Sequence, residues 1–256
     1  MKLDHVTSRD NPALVRLRKL TADAGGYRKT GSVWIEGDHL LRAALQRGWK
    51  PALVVLTEAA MQDAALAALA EAARRALVVP MALFKGLSGL ESPAQIGAEL
   101  TLPEAPAIEA GAASVVLDRL QDAGNVGAIL RSAAAFGVRQ VLALKGTAAL
   151  WSPKVVRAGQ GAHFGLRLIE GLAAADLQAL SVPLVATSSH DSQPLHRVAL
   201  PSPCAWVMGH EGQGVSAELM ARCALRVGIP QPGGEESLNV AAAAAICLYE
   251  SERRKG

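Results

Sequence analysis

Three short stretches in the second half of the chain combine glycines with side chains able to bind or orient a ligand. The first, LDRLQDAGNVGAILRSAAAFGV at 117–138, sets Asn125 and Gly127 at a predicted helix start and Arg131 six residues after Asn125. A glycine at a helix N-terminus lets backbone approach a ligand, and an arginine one turn on can grip a phosphate. An ordinary capped helix with a surface arginine fits these residues too. The second, WVMGHEGQGVS at 206–216, puts Gly209, Glu211, Gly212 and Gly214 after an apolar run. Such a turn is expected to be tight and to offer backbone N–H groups to a ligand. His210 is a candidate ligand or base there, although a lone loop histidine is more often neither. The third, IPQPGGEESLNVAAAAAICLYE at 229–250, stiffens a strand exit with Pro230 and Pro232 and turns it at Gly233-Gly234. Ser237 or Asn239 then caps a helix opened by five alanines, thin enough to pack closely on backbone.

These loops need strands to carry them. Short apolar runs at 114–118, 140–144, 166–169, 183–187, 204–208 and 225–229 alternate with helical stretches at 126–136, 153–161, 172–180, 216–222 and 238–253. That alternation predicts a mostly parallel sheet covered on both faces, with ligands at the carboxyl ends of its strands. The first hundred residues alternate in the same way: a helix at 10–20, a strand at 32–36, a helix from 38, a strand at 52–56, a helix at 59–74 and a strand at 76–80. They are expected to form a separate small α/β domain. Residues 101–111, with two prolines and little periodicity, read as the linker between a 1–100 domain and a 112–256 domain.

Composition narrows the partners. Half of the 256 residues are hydrophobic and only 4% aromatic, so the core is built from Ala, Val and Leu. Net charge is +3, and residues 1–50 carry ten Lys/Arg against five Asp/Glu, which suits a basic patch facing nucleic acid. Three scattered cysteines (Cys204, Cys223, Cys247) have neither disulfide-framework nor metal-ligand spacing, so no metal is expected. The N-terminus lacks the apolar core of a signal peptide, and no apolar run reaches about 18 residues, so a cytoplasmic location is expected. Neither a GxxxxGK[ST] nor a GxGxxG pattern occurs, which argues against an ordinary nucleotide-binding enzyme.

Taken together, the three stretches resemble the three motifs of the SpoU/TrmH family of RNA ribose methyltransferases in the SPOUT superfamily. Asn125-x-Gly127-x-x-x-Arg131-Ser132-Ala133 is similar to the first, Gly209-x-Glu211-Gly212-x-Gly214 to the second, and Ile229-Pro230 with Glu236-Ser237-Leu238-Asn239-Val240 to the third. The resemblance covers roughly 108–256. It extends less specifically to TSRDNP, RKTGSVWIEGDHLLRAAL and LSGLESPAQIGAEL, which resemble an RNA substrate-binding domain with a ribosomal-protein-like fold. It implies a SPOUT domain with a deep trefoil knot, S-adenosyl-L-methionine as cofactor, a homodimer, and methyl transfer to a ribose 2'-hydroxyl. Large-subunit ribosomal RNA is the expected substrate; transfer RNA, or a non-catalytic RNA-binding role, is the alternative. Carried over by position, Asn125, Arg131, Glu211, Ser237 and Asn239 form the polar catalytic set. Gly209, Gly214, Ile229, Pro230 and Leu238 are expected to contact the cofactor. Lys154, Arg157 and His163 either widen the RNA footprint or are ordinary surface residues. The second proline of the third stretch, Pro232, falls where the family varies.

Overall fold

A computed structural model describes residues 2–188, 192–233 and 237–255. The chain forms two compact units, residues 1–104 with 151–164, and residues 105–150 with 165–256.

The first unit holds β1 (Lys2–His5), β2 (Ser32–Glu36), β3 (Pro51–Thr57), β4 (Arg75–Val79) and β5 (Ile96–Thr101), in the order β1-β4-β3-β5-β2. β1, β4 and β3 run parallel, and β5 is antiparallel to both β3 and β2. β1 and β5 escape the sequence reading. In β5 the apolar run is broken by Gly97 and Glu99. A Cβ on Gly97 would sit 2.3 Å from the Trp34 ring, so the strand gives up a side chain to admit the indole. Glu99 is buried and gripped by both terminal guanidinium nitrogens of Arg16. The single helix expected at 59–74 is two helices, Glu58–Gln62 and Ala64–Ala70. Asp63 interrupts it by accepting hydrogen bonds from the N–H groups of Ala65 and Leu66, a capping geometry incompatible with a continuous helix.

Residues 151–164 were expected in the second domain but fold with the first unit. Trp49 Nε1–H donates to the Phe164 carbonyl at 3.1 Å, and the Trp49 and Trp151 rings lie 5.7 Å apart. Lys154, Arg157 and His163 thus belong to the first unit. The boundary between the units falls within 101–111. Thr101 ends β5, and Glu109 exchanges hydrogen bonds with the Gln140 side chain at 2.8 and 3.1 Å inside the second unit.

The second unit holds β6 (Ser114–Leu117), β7 (Gln140–Leu144), β8 (Arg167–Leu172), β9 (Leu184–Thr187), β10 (Gln193–Pro194), β11 (Ala205–Met208) and β12 (Leu225–Gly228). Their order is β10-β12-β9-β11-β6-β7-β8, and every pairing is parallel. β6, β7 and β11 are buried throughout, as expected of central strands covered on both faces. Because β11 lies between β6 and β9, the loops leaving β6, β9, β11 and β12 emerge at one carboxyl edge. Helix Val240–Arg253 packs against helix Ala123–Ala135. Phe136 and Tyr249 meet edge to face at 5.9 Å, and Trp206 Nε1–H donates to Ser251 Oγ at 2.9 Å. No helix among the described residues is long and apolar enough to cross a membrane.

Candidate active site

The loops after β6, β11 and β12 meet through one chain of hydrogen bonds. Glu211 accepts from the N–H groups of Gln121 at 3.3 Å and Asp122 at 3.1 Å, and from Asn125 Nδ2 at 3.3 Å. Asn125 Oδ1 in turn accepts from Asn239 Nδ2 at 2.9 Å. Asn239 Oδ1 accepts from the N–H groups of Ala241 and Ala242, capping the C-terminal helix. One residue from each stretch is therefore tied to the next. Glu211 joins two loops.

Local capping sets these positions. Asp122, not Asn125, caps helix Ala123–Ala135, accepting from Asn125 N–H at 2.7 Å. The helix therefore starts three residues earlier than expected, which places the Asn125 side chain in its first turn and buries Gly127 in the second. Of the two expected caps on the last helix, Asn239 fills the role. Glu236, part of the third stretch, lies outside the described residues.

The glycine-rich loop differs from expectation in one respect. Its amides are turned inward rather than offered to a ligand. His210 N–H and Gly214 N–H pair with each other's carbonyls at 3.0 and 2.8 Å. The N–H groups of Gly212 and Gln213 both approach His210 Nδ1, at 3.0 and 3.3 Å. A Cβ on Gly209 would fall 2.2 Å from the Gly214 carbonyl carbon, so the loop closes only over glycine. Gly214 itself has φ +67°.

A cleft of about 880 Å³ opens between these loops and the end of β9. Gly214, Ile229 and Leu238 line it, as do Glu211, Ser237 and Asn239. Gly209 and Pro230 adjoin lining residues without facing the cleft themselves, and Asn125 reaches it only through its two hydrogen bonds. Sequence reasoning missed Thr187 and Ser188 on the far wall and Gln231. The first two sit where β9 ends, a position that the rule of carboxyl-edge ligands could have flagged. The Gln231 Oε1 atom is buried and has no hydrogen-bond partner among the described residues. Arg131 stands apart. It is exposed, does not line the cleft, and has no hydrogen-bond or ion-pair partner among the described residues. Among those residues no group of three or more His, Cys, Asp or Glu could hold a metal ion.

Partial burial pushes the Glu211 carboxyl up. Hydrogen bonds from its own N–H, from the N–H groups of Asp122 and Gln121, and from Asn125 outweigh burial and hold it below the usual carboxylate range. Glu211 is therefore an anion at neutral pH with its lone pairs engaged, a better anchor than base.

An all-parallel α/β domain with a cofactor-sized cleft at its carboxyl edge belongs to the class of sheet-edge ligand-binding enzymes. The chain belongs to the SpoU rRNA Methylase family, whose model matches residues 112–249. Residues 11–98 match the MRM3-like substrate binding domain. An uncharacterized tRNA/rRNA methyltransferase of Synechocystis is 32% identical over 98% of this chain and 94% of its own. The 23S rRNA (guanosine(2553)-2'-O)-methyltransferase RlmP of Bacillus subtilis is 31% identical over 86% of this chain and 88% of its own. The AdoMet-bound rRNA methyltransferase from Sinorhizobium meliloti superposes with a TM-score of 0.85, at 28% identity, over 98% of each chain.

Proposed function

We propose that this protein transfers the methyl group of S-adenosyl-L-methionine to a ribose 2'-hydroxyl of large-subunit ribosomal RNA. The observation that carries the reading is the hydrogen-bonded chain Glu211–Asn125–Asn239, which joins all three loops at the mouth of the cleft.

The residues present fit the cofactor. The cleft volume lies in the range of about 300–1,000 Å³ typical of small-molecule sites. Ile229, Leu238 and Val240 give it an apolar wall suited to a purine, and Ser188 and Ser237 give hydroxyls suited to a sugar. Among the described residues Gln231 Oε1 is a buried acceptor lacking a donor, which an exocyclic amine would supply. When bound, S-adenosylmethionine supplies an electrophilic methyl group on a sulfonium sulfur. The protein's part is alignment: Asn239 and Ser237 orient the ribose, Asn125 holds Asn239, and Glu211 anchors Asn125. Arg131 supplies the cation for the adjacent phosphate.

Helix geometry bears on how Arg131 does this. Six residues separate it from Asn125, which is about 9 Å along the axis and about 120° around it. The helix thus presents the two side chains on different faces. Ala242, Ile246 and Tyr249 point outward from the last helix at i, i+4 and i+7 spacing, with Ile246 40% and Tyr249 54% exposed. This apolar stripe supports a homodimer, within which Arg131 of one copy serves the site of the other. The reading also places the protein in the cytoplasm, with the basic first unit contacting RNA.

Methyl transfer from labelled S-adenosylmethionine to total RNA from a strain lacking the gene tests the proposal. Label at one ribose of large-subunit RNA is the expected result. Label in transfer RNA would keep the chemistry and overturn the substrate. RNA binding with no label in any fraction would overturn the enzymatic reading in favour of a binding protein.

A further inference from the structure

The loop that carries Glu211 is held by residues that the three family motifs leave unspecified. Asp118, the first residue beyond β6, is 1% exposed. Its Oδ2 accepts from Ser216 N–H at 2.6 Å, its Oδ1 from Arg119 Nε at 2.9 Å, and its own N–H donates to the Met208 carbonyl at 2.8 Å. Arg119 then reaches across with Nη1 to Gln213 Oε1 at 2.9 Å. In order, 118 pairs with 216, 119 with 213, and 121, 122 and 125 with 211. The two loops are zipped antiparallel, and Glu211 is the last tooth.

Arg119 adopts φ +59°, the left-handed region that favours glycine. A strained non-glycine residue persists where its surroundings over-determine it. Here they do. Leu117 and Leu120 on either side accept hydrogen bonds through their carbonyls from Thr147 Oγ1 at 3.0 Å and Ala148 N–H at 2.7 Å. Gly146 offers bare backbone beneath the arginine stem, with room for a Cβ only 3.3 Å from Arg119 Cγ. A glycine at 119 would satisfy the backbone more cheaply but would release Gln213.

We propose that Arg119 and Gln213, backed by Asp118, are positioning residues that set where Glu211 stands and thereby the orientation of Asn125 and Asn239. The role rests on the proposed methyl transfer, and the test separates the two.

The experiment compares Arg119→Gly, Gln213→Leu and the double variant in full-length protein. Four quantities are read: single-turnover rate at saturating cofactor and RNA, KM for RNA at two salt concentrations, melting temperature, and hydrogen exchange of the Gln121 and Asp122 amides that Glu211 accepts from. Each single variant is expected to lower the rate about tenfold and speed exchange of those amides about as much, roughly one hydrogen bond's worth. The double variant is expected to be no worse than Arg119→Gly alone, because that substitution already cuts the link to Gln213. The melting temperature of Arg119→Gly should fall only slightly, because glycine suits φ +59° and offsets part of the lost ion pair with Asp118. Asp118→Asn, which keeps an acceptor for Ser216, should retain more activity than Asp118→Ala. Unchanged amide exchange, or strictly additive rate losses, would overturn the positioning role. So would an unchanged rate with a raised, more salt-dependent KM, which would mark Arg119 as a phosphate contact. Should the wild type methylate no RNA, the proposed function fails while amide exchange still decides the zipper.

Discussion

Asn239 does two separable jobs with the two ends of one amide. Oδ1 caps the last helix, and Nδ2 donates to Asn125. Asn239→Asp keeps the first job and removes the second. The new carboxylate still accepts from Ala241 and Ala242, and a negative charge at a helix N-terminus adds about 0.3–1 kcal/mol. Asn125 cannot compensate by turning its amide over. Its oxygen would then face the Glu211 carboxylate, replacing a donor by an acceptor. The substitution therefore breaks either the amide–amide bond, about 1 kcal/mol, or the bond to the carboxylate, about 1.5–3 kcal/mol. Asn239 and Glu211 both reach water, so the lower ends apply. At about 1.4 kcal/mol per decade the expected loss in kcat is about 5- to 12-fold. Asn239→Ala loses the cap as well, about 1 kcal/mol, worth about 2–4 °C in melting temperature. The assay is single-turnover methyl transfer beside thermal melting. The expected pattern is both variants slow but only the alanine variant less stable. An Asn239→Asp protein turning over within about twofold of wild type, or melting as low as Asn239→Ala, would refute the reasoning.

Gly209→Ala drives a Cβ into the backbone of Gly214 and Val215 at 2.2 Å. Calorimetry should show loss of S-adenosylmethionine binding with far-UV circular dichroism retained. Burial pushes the thiols of Cys204 and Cys223 up to about 11 and that of Cys247 up to about 12, so alkylation at pH 8 should label none of them until the protein is unfolded, as read by mass spectrometry. Mixing Arg131→Ala dimers with the slowed Asn239→Asp dimers should raise activity to about a quarter of wild type, above either parent, if Arg131 serves the other copy's site, since half the dimers are mixed and half their sites intact. No recovery after proven exchange would place Arg131 in its own subunit's site.

The three loops were legible because loops that hold ligands need residue types that elements avoid: Gly209 and Gly214 for close approach, Pro230 for stiffness, Asn239 for a cap. The parallel sheet of the second unit was legible too, from apolar runs between helices. What escaped depended on partners distant in sequence. β5 was hidden because Gly97 and Glu99 answer to Trp34 and Arg16. The site of Glu211 in the network could not be seen, because its donors lie some ninety residues earlier. The loop amides were expected to face a ligand. The sequence shows that a turn is tight, yet not which acceptor, here His210 Nδ1, takes its donors. Periodicity also reports which face a strand buries and never its neighbour, so β11 between β6 and β9 had no local signature.

The polarity of the Glu211–Asn125–Asn239 chain limits how the reaction can lose its proton. A carboxylate only accepts, and Asn239 is fixed by the helix it caps, so the orientation of Asn125 between them is determined. Glu211 spends its lone pairs on three N–H donors and sits below the usual carboxylate range. Each donor that fixes it also makes it a weaker base, so the features that make Glu211 a good anchor unfit it to take a ribose proton. The sign for pH dependence follows. A depressed folded-state pKa means the network is intact above the ordinary carboxylate value, about 4.3, and is lost as pH falls through a lower one. No acid limb from Glu211 should then appear in kcat between pH 5 and 8, and kcat should not follow a carboxylate ionisation near neutrality. Glu211→Gln should slow the reaction at every pH in that window by a similar factor, since it swaps an acceptor for a donor facing Gln121, Asp122 or Asn125. An inflection in the wild-type profile between pH 5 and 8 that vanishes in Glu211→Gln would make Glu211 the base after all.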